Sequence, residues 1–514
     1  MPSFLYGGIP GKGVEDAIAP ILVKEMTGGI VCTLDLDKAF DRTSPELACK
    51  VFRHLGMPSH TAALLQHTWT NQNRFLQYQG EILKQPCLVG NSLPQGDCWS
   101  MLAMCMVLLP IGNRIERQFP ATTQAIYADD RSFVSPEPLE ALKVRDMWHE
   151  NTAKIGLKES VGKEQFFHRN KPIRRKLVKL GLPAASLEDA TCILGFNFMP
   201  AQRRKAVGKE VSRKHTAKVK ARKCRCLPGG GARQQRMARM TVPTVAGWGL
   251  VCRQPTQAEA HDFFQLAKTF HTWPKQSSVP LLKIVTGHNW DLHLASASTC
   301  LRVLTRYVIR TGRALPAWPH ARSGWNGSLR IAMENVGLTE VGPWEWTHDR
   351  VGTIKIHPNA LRPMNDPNGF LQHRLRDAWR FSNFEEWRQS NRRDAAECVD
   401  VRITAEHFAA LKKVNLNTDS LACLTGAFVS PKAYEVMSGS PQCCPFCSGS
   451  ECTLEHVVWL CNQNPFRKDG LAPMSIIQKR LGWPEGRDAE HDLQVVSCLA
   501  SSRAACLRAR RGHD

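Results

Sequence analysis

The chain has 514 residues, 43% of them hydrophobic, with a formal net charge of +22 and a pI near 9.4. That apolar fraction excludes wholesale disorder, and the length allows about two to four domains. The positive excess suits a polyanionic partner, because Lys and Arg that neutralise phosphates release condensed counterions. The longest apolar run, Met101 to Ile111, is too short to span a bilayer, and no basic-then-apolar leader opens the chain. Neither a membrane partner nor secretion is therefore expected. Apart from one tight group, the 19 cysteines are scattered, which fits a reducing compartment better than a disulfide scaffold.

In chain order, Tyr6 to Gly13 is a Gly/Pro turn that runs into a helix start at Val14 to Ile18. Ile30 to Leu34 is an apolar, β-branched strand that ends on Asp35. Leu47, Val51, Leu55, Ala62, Leu65 and Trp69 carry helical periodicity from Pro45 onward, with Asp41 expected to cap the helix that Ser44-Pro45-Glu46 starts. Phe75 to Val89 reads as a hairpin, and Gly90 to Gly96 opens a helix, Trp99 to Ile115, that is apolar nearly all round. Ala125 to Val134 reads as a second hairpin with Asp129 and Asp130 at its turn. Two adjacent carboxylates repel, and a hard divalent cation relieves the repulsion while keeping open positions for phosphate. A solvated Asp-Asp turn is the plain alternative.

Further on, Ala141 to Lys154 is helical and leaves through Ile155-Gly156-Leu157-Lys158. A basic run from Arg203 to Arg225 precedes Gly229-Gly230-Gly231, read as a flexible break. Thr241 to Leu338 reads as mostly helical, clearest at Ala258 to Phe270 and Leu301 to Gly312. Trp318, Trp325, Trp344, Trp346, Trp379 and Trp387 belong either to a core or to base-stacking platforms. Residues 352–440 suggest no function. Near the end, Cys444, Cys447, His456 and Cys461 make a complete set of zinc ligands with no open position, hence a structural site. Cys443 competes with Cys444 for the first place, and buried free cysteines are the alternative for the whole group.

Three of these stretches, taken together, resemble a known family. Leu34-Asp35-x-x-Lys38-Ala39-Phe40-Asp41, Leu93-Pro94-Gln95-Gly96 and Tyr127-Ala128-Asp129-Asp130 resemble the palm motifs of non-LTR retrotransposon reverse transcriptases, with group II intron enzymes as more distant kin. The resemblance implies an α+β right-hand polymerase with an antiparallel palm sheet, a helical thumb and a small zinc knuckle. It places partial fingers and palm at 1–200, a basic thumb and extension at 201–340, a connector at 341–440, the knuckle at 441–465 and a basic tail at 466–514. It makes Asp35, Asp129 and Asp130 catalytic, and assigns them with Leu36 to two Mg²⁺ ions, for which Mn²⁺ can substitute. Nucleotide contacts fall to Lys12, Leu36, Phe40, Gln95, Gly96 and Lys163. Lys12 would face phosphates or be an ordinary surface lysine. Phe40 would exclude a ribose 2′-hydroxyl or belong to the core. Lys163 would protonate departing pyrophosphate, although the Asn usual in that motif is lacking. Asp37 is expected to be solvated, and Ile193 to Phe198 resembles the primer-grip hairpin.

The implied partners are template RNA, primer or target DNA, and dNTPs, in an intracellular, nuclear setting. A decayed or co-opted copy that holds RNA without polymerising is the alternative. Three departures favour it: Arg131 stands where relatives place an apolar residue, Asp97-Cys98-Trp99 is unusual after Gln-Gly, and the front of the fingers is missing.

Overall fold

The structure, a computed structural model, describes residues 2–70, 72–75, 77–79, 81–82, 84–89, 92–198, 209–228, 230–247, 250, 255–268, 279–286, 290–316, 325–390, 442–450, 452–467, 471 and 489–511. Helix α1 (Val14–Met26) leads to strand β1 (Ile30–Leu34), then to α2 (Ala39–Arg42), α3 (Pro45–His54) and α4 (Ser59–Trp69). The periodic stretch from Pro45 is thus two helices, broken near Gly56 and Pro58. Ser44, not Asp41, caps α3: its side chain accepts from the Leu47 amide at 3.3 Å. Asp41 lies inside α2 instead, 3.9 Å from Arg74. Strands β2 (Gln72–Arg74) and β5 (Cys87–Val89) pair around β3 (Gln77–Tyr78) and β4 (Glu81–Ile82), a hairpin within a hairpin.

Helix α5 (Cys98–Gln118) extends well beyond its apolar run and is by length and composition able to cross a membrane; most of it is buried inside the fold. Next come β6 (Thr123–Tyr127), β7 (Asp130–Ser135), α6 (Pro138–Lys154), β8 (Gln165–Phe167), α7 (Lys171–Lys179), β9 (Leu187–Glu188), β10 (Thr191–Ile193) and β11 (Phe196–Phe198). Five strands form the central sheet in the order β6-β7-β1-β8-β9, antiparallel except for β8 with β9. Period-two alternation sends Ile30, Cys32 and Leu34 to one face, packed with residues of α3, α5 and α6. Val31, Val134 and Phe167 join the other face, against α1.

That second core does not stop at the central sheet. Helices α8 (Lys209–Arg225), α9 (Gly230–Gly247) and α10 (Gln257–Lys268) share a small core of their own. After α11 (Val279–Thr286), α12 (Leu292–Thr311) returns to pack on α1, where Arg306 reaches the buried Asp16 at 3.2 Å and Arg302 reaches Glu15 at 2.7 Å. Helix α13 (Trp325–Glu334), strands β12 (Thr339–Gly342), β13 (Glu345–His348) and β14 (Gly352–Lys355), α14 (Pro358–Leu361) and α15 (Pro367–Ser390) complete the same core. The boundary expected at 340/341 therefore falls inside a strand, and the chain on either side of it shares one core. Trp344, Trp346, Trp379 and Trp387 are all buried, so they are core and not stacking platforms. Trp318 and the side chain of Trp325 lie outside the described residues.

The glycine break is shorter than expected, since Gly230 and Gly231 begin α9. In α8, Ala217, Ala221 and Cys224 face α9 while Lys218, Arg222, Lys223 and Arg225 are exposed. Arg203, Arg204 and Lys205 lie outside the described residues. At the far end, α16 (Ala489–Arg511) packs on the Cys/His segment through Val495, Cys498, Leu499 and Cys506. The described end of the expected basic tail thus shares a core with the Cys/His segment.

Candidate active site and metal centre

Asp35 stands where β1 ends. Ser160 donates its amide to the Asp35 carbonyl at 2.9 Å, and Asp37 donates to the Lys158 carbonyl at 2.8 Å. These bonds flank an antiparallel bridge between Leu36 and Glu159. Leu36 is therefore in the non-hydrogen-bonded register and turns its carbonyl away from Glu159, toward the β7 side of the sheet. Register does the rest: Leu34 pairs with Arg131, which brings Asp130 and the Asp129 turn beside Asp35. Asp129 sits in the two-residue turn and Asp130 opens β7 opposite Tyr127.

The turn is held from behind. Ala128 adopts φ 58, a left-handed conformation that costs a non-glycine residue about 1–2 kcal/mol. Segment 4–7 lies along β6, with Tyr6 donating to Ile126 at 2.9 Å and Ile126 to Phe4 at 2.8 Å. A Cβ on Gly7 would come within 2.4 Å of the Ala128 nitrogen, so only glycine allows this approach. The Cys105 thiol donates to the Gly7 carbonyl at 3.0 Å and completes the support.

Charges in the site act on one another. Burial pushes the Asp129 carboxyl above the usual carboxylate range, and the Asp35 charge adds to the rise, with Arg131 and Lys163 opposing it. The Lys163 ammonium sits 2.6 Å from Asp35, and that pair raises the lysine above its ordinary value. A partly desolvated carboxylate whose charge its neighbour disfavours, with a second carboxylate beside it, makes a donor set suited to hard divalent cations. Lys163 is thus brought to the carboxylates despite its unusual surroundings in sequence.

Other expected contacts are distributed unevenly. Phe40 is half-buried against the core, and its carbonyl accepts from Leu93 at 2.8 Å, tying two motifs together. Gln95 and Gly96 are exposed, with Gly96 at φ 95 in the turn before α5. Lys12 does not join them. Its ammonium donates to the carbonyls of Leu5 at 2.7 Å and Pro2 at 3.1 Å and lies over the Tyr6 ring, with burial lowering its pKa. It braces its own loop. Asp37 is paired with Arg42 at 3.0 Å, not simply solvated.

Two departures from the family pattern have structural partners. Asp97 caps α5 by accepting from Trp99 at 3.2 Å and also accepts the Trp69 indole at 2.7 Å. Arg131, 1% exposed, makes a two-pronged ion pair with Glu159 at 2.6 and 2.7 Å beneath the ring of Trp148. Thr152 adds a third bond to Glu159 at 2.8 Å. Burial alone would raise the Glu159 carboxyl; Arg131 overrides it and holds the group below the usual range. Because Arg131 follows Asp130 and Glu159 bridges to Leu36, this pair clamps together the strands that carry the carboxylates. Sequence reasoning missed Glu159 and Gly7. Arg131 beside the carboxylates, where the resembling family carries an apolar residue, was the one signal available.

The Cys/His group closes just as its spacing implies. Ligand atoms of Cys444, Cys447, His456 and Cys461 all lie within 4.8 Å of one another. A tetrahedral zinc with bonds of about 2.3 Å to sulfur separates two sulfurs by about 3.8 Å. The Cys444–Cys461 sulfur distance is 3.8 Å, and Cys447 Sγ lies 3.4 Å from His456 Nε2. Cys443 is exposed and outside the group, which assigns the first place to Cys444. The Gly449 amide, then His456, lowers the Cys447 thiol to about 7, whereas burial raises Cys444 to about 11.

No curated protein matches the chain. Among solved structures it is remotely similar to apo telomerase from Candida tropicalis (7% identity, TM-score 0.31, covering 60% of this chain and 55% of that one). Telomerase from the same organism in complex with a TWJ fragment of telomeric RNA gives 10% identity and a TM-score of 0.30, covering 64% and 53%. The chain thus spans about half the length of these structures, and at such scores the likeness bears on neither fold nor function. Residues 1–198, which contain all three carboxylates and the whole central sheet, match the family model for reverse transcriptase (RNA-dependent DNA polymerase).

Proposed function

We propose that the chain is the RNA-directed DNA polymerase of a non-LTR retrotransposon, joining dNTPs to a primer 3′-hydroxyl on an RNA template. The observation that carries this reading is the convergence of Asp35 and Asp129, from separate strands, into mutual electrostatic contact within a reverse transcriptase domain. Asp35, Asp129, Asp130 and the Leu36 carbonyl would hold two Mg²⁺, with Mn²⁺ as substitute. Bound there, the ions would supply Lewis acidity toward the 3′-hydroxyl and neutralise the triphosphate. Lys163, beside Asp35, is placed to give a proton to the departing pyrophosphate. Phe40 limits room at the sugar 2′ position, and Gln95 with Gly96 presents exposed backbone to the template–primer. The exposed cations of α8 grip duplex phosphates as a thumb.

Zinc at Cys444, Cys447, His456 and Cys461 contributes fold, and the module around it helps place the enzyme on structured RNA or target DNA. Work on such targets puts the protein inside the cell, in the nucleus. That Arg131 and Asp97 each have specific partners weakens the case for a decayed copy. The deciding experiment is primer extension on an RNA template with Mg²⁺ or Mn²⁺. Extension that vanishes in Asp129→Ala supports the reading; a folded parent chain that extends nothing with either metal overturns it.

A further inference from the structure

Helix α7, between β8 and β9, belongs to none of the elements just given a role. Its sequence is Lys-Pro-Ile-Arg-Arg-Lys-Leu-Val-Lys, without an acidic residue. One face is anchored: Leu177 is buried and Ile173 packs against the palm core. Arg174, next to that face, is neutralised by Asp189. Lys171, Arg175 and Lys179 recur every four residues on the opposite side, about 6 Å apart along the axis, and Lys176 widens the stripe. All four are exposed, and none has an ion-pair partner among the described residues. Like charges at this spacing destabilise a helix. A surface that merely needed solubility would mix signs, as α6 does with its Lys154–Glu150 pair.

We propose that this face of α7 is a docking surface for the phosphate backbone of folded, double-stranded RNA, on a different element from the carboxylates and from the α8 cations. The helix has no aromatic side chain on which unpaired bases would stack. What remains is a rigid row of cations, which fits sequence-independent contact with duplex phosphates. An anionic membrane is the poorer match, because the helix's apolar residues Ile173 and Leu177 face the protein and only Val178 and Leu180, 41% and 40% exposed, flank the stripe.

This inference requires RNA as partner but not catalysis, so it is tested by binding. In the full chain, Lys171, Arg175 and Lys179 are changed together to Glu and, separately, to Gln, and affinity for an RNA hairpin is measured against salt. Each lost phosphate contact lowers the log–log salt slope by about 0.7 to 0.9, so the slope should fall by about 2–3 and affinity by at least about tenfold. Extension on a short annealed primer–template should be unchanged if the parent extends it, since the carboxylates and Lys163 are untouched. An unaltered slope and affinity in both folded variants would overturn the proposal. So would loss of binding to phosphatidylserine vesicles with no change toward RNA. A parent that binds the hairpin through this face yet never polymerises would defeat the functional reading and leave this one standing.

Discussion

The two candidate metal centres of this chain are built in opposite ways. At the knuckle, four ligands lie within 18 residues of sequence, Cys444 to Cys461, and local turns bring them together. The Ser448 amide donates to Cys444 at 2.9 Å, and Cys461 donates to the His456 carbonyl at 2.7 Å. In the palm, the carboxylates come from two strands whose pairing depends on segments 4–7, 159–163 and β7 at once. One site is closed and complete from its own segment. The other is open, electrostatically strained and held only by the whole domain. A local site makes its fold, whereas a dispersed site is made by its fold.

Removing zinc should give the largest effect. Binding energy for a structural zinc is folding energy, on the order of 10 kcal/mol, so Cys447→Ser or His456→Ala should release about one zinc per chain and unfold the knuckle with α16. Metal analysis and proteolysis of the C-terminal region read this directly, while simple extension should persist. A Cys447→Ser variant with undiminished zinc would break the comparison.

In the palm, Asp35→Ala or Asp129→Ala should leave the fold intact and lower extension by about a thousandfold or more, equal to about 4 kcal/mol of transition-state stabilisation. RNA affinity should barely change. Extension at the parent rate by folded Asp129→Ala would remove the carboxylates from the chemistry.

The clamp behind them should follow a third pattern. Arg131→Met alone strands the buried Glu159 and should destabilise by about 3 kcal/mol, but Arg131→Met with Glu159→Leu should recover most of that loss. If the pair also positions the carboxylates, the double variant will be stable yet need more Mg²⁺ for half-maximal rate. Equal instability of single and double variants would show that the ion pair itself is not the relevant contact.

The pH dependence sharpens the contrast inside the palm. Glu159 is held below the usual range, so its contribution is present above the unfolded value of about 4.3 and is lost as pH falls through its lower folded value. Glu159→Gln should flatten that acid limb. Asp129 is shifted upward, so its sign reverses: ionised at neutral pH it opposes folding, and it relaxes as pH falls through its folded value. Asp129→Asn should therefore raise the melting temperature slightly in metal-free buffer at pH 7, and a fall there would contradict the assignment. The smallest effect is expected at Phe40, where Phe40→Val should raise the ratio of ribonucleotide to deoxyribonucleotide use without altering overall stability by more than about 1–2 kcal/mol.

Much of this site was legible before any fold was known, because its chemistry is carried by short contiguous strings. Leu34 to Asp41, Leu93 to Gly96 and Tyr127 to Asp130 each combine a strand or helix signal with the reactive residue, and the Cys/His spacing is nearly a coordination geometry in itself. Lys12 stayed open in sequence for a physical reason: a lysine in a glycine-rich loop looks free there, and only the folded loop brings two carbonyls to its ammonium. The tryptophans were ambiguous in the same way. Composition puts them beside arginines, but burial is decided by which helix returns to cover them.

From its residues alone the chain determined which three carboxylates and which four Cys and His side chains are the candidates, the edges of the main strands, and a charge that suits a polyanion. Only the tertiary structure decided that Arg131 and Glu159 neutralise each other in the interior and that Gly7 underlies the Ala128 turn. It also decided that α12 to α15 join the palm's core across the expected boundary. The division has one cause. Local signals report what a segment can be, through periodicity, capping and ligand spacing over a few residues. Pairing between distant segments depends on strand register and on which faces meet, and no stretch of sequence records its partner's address.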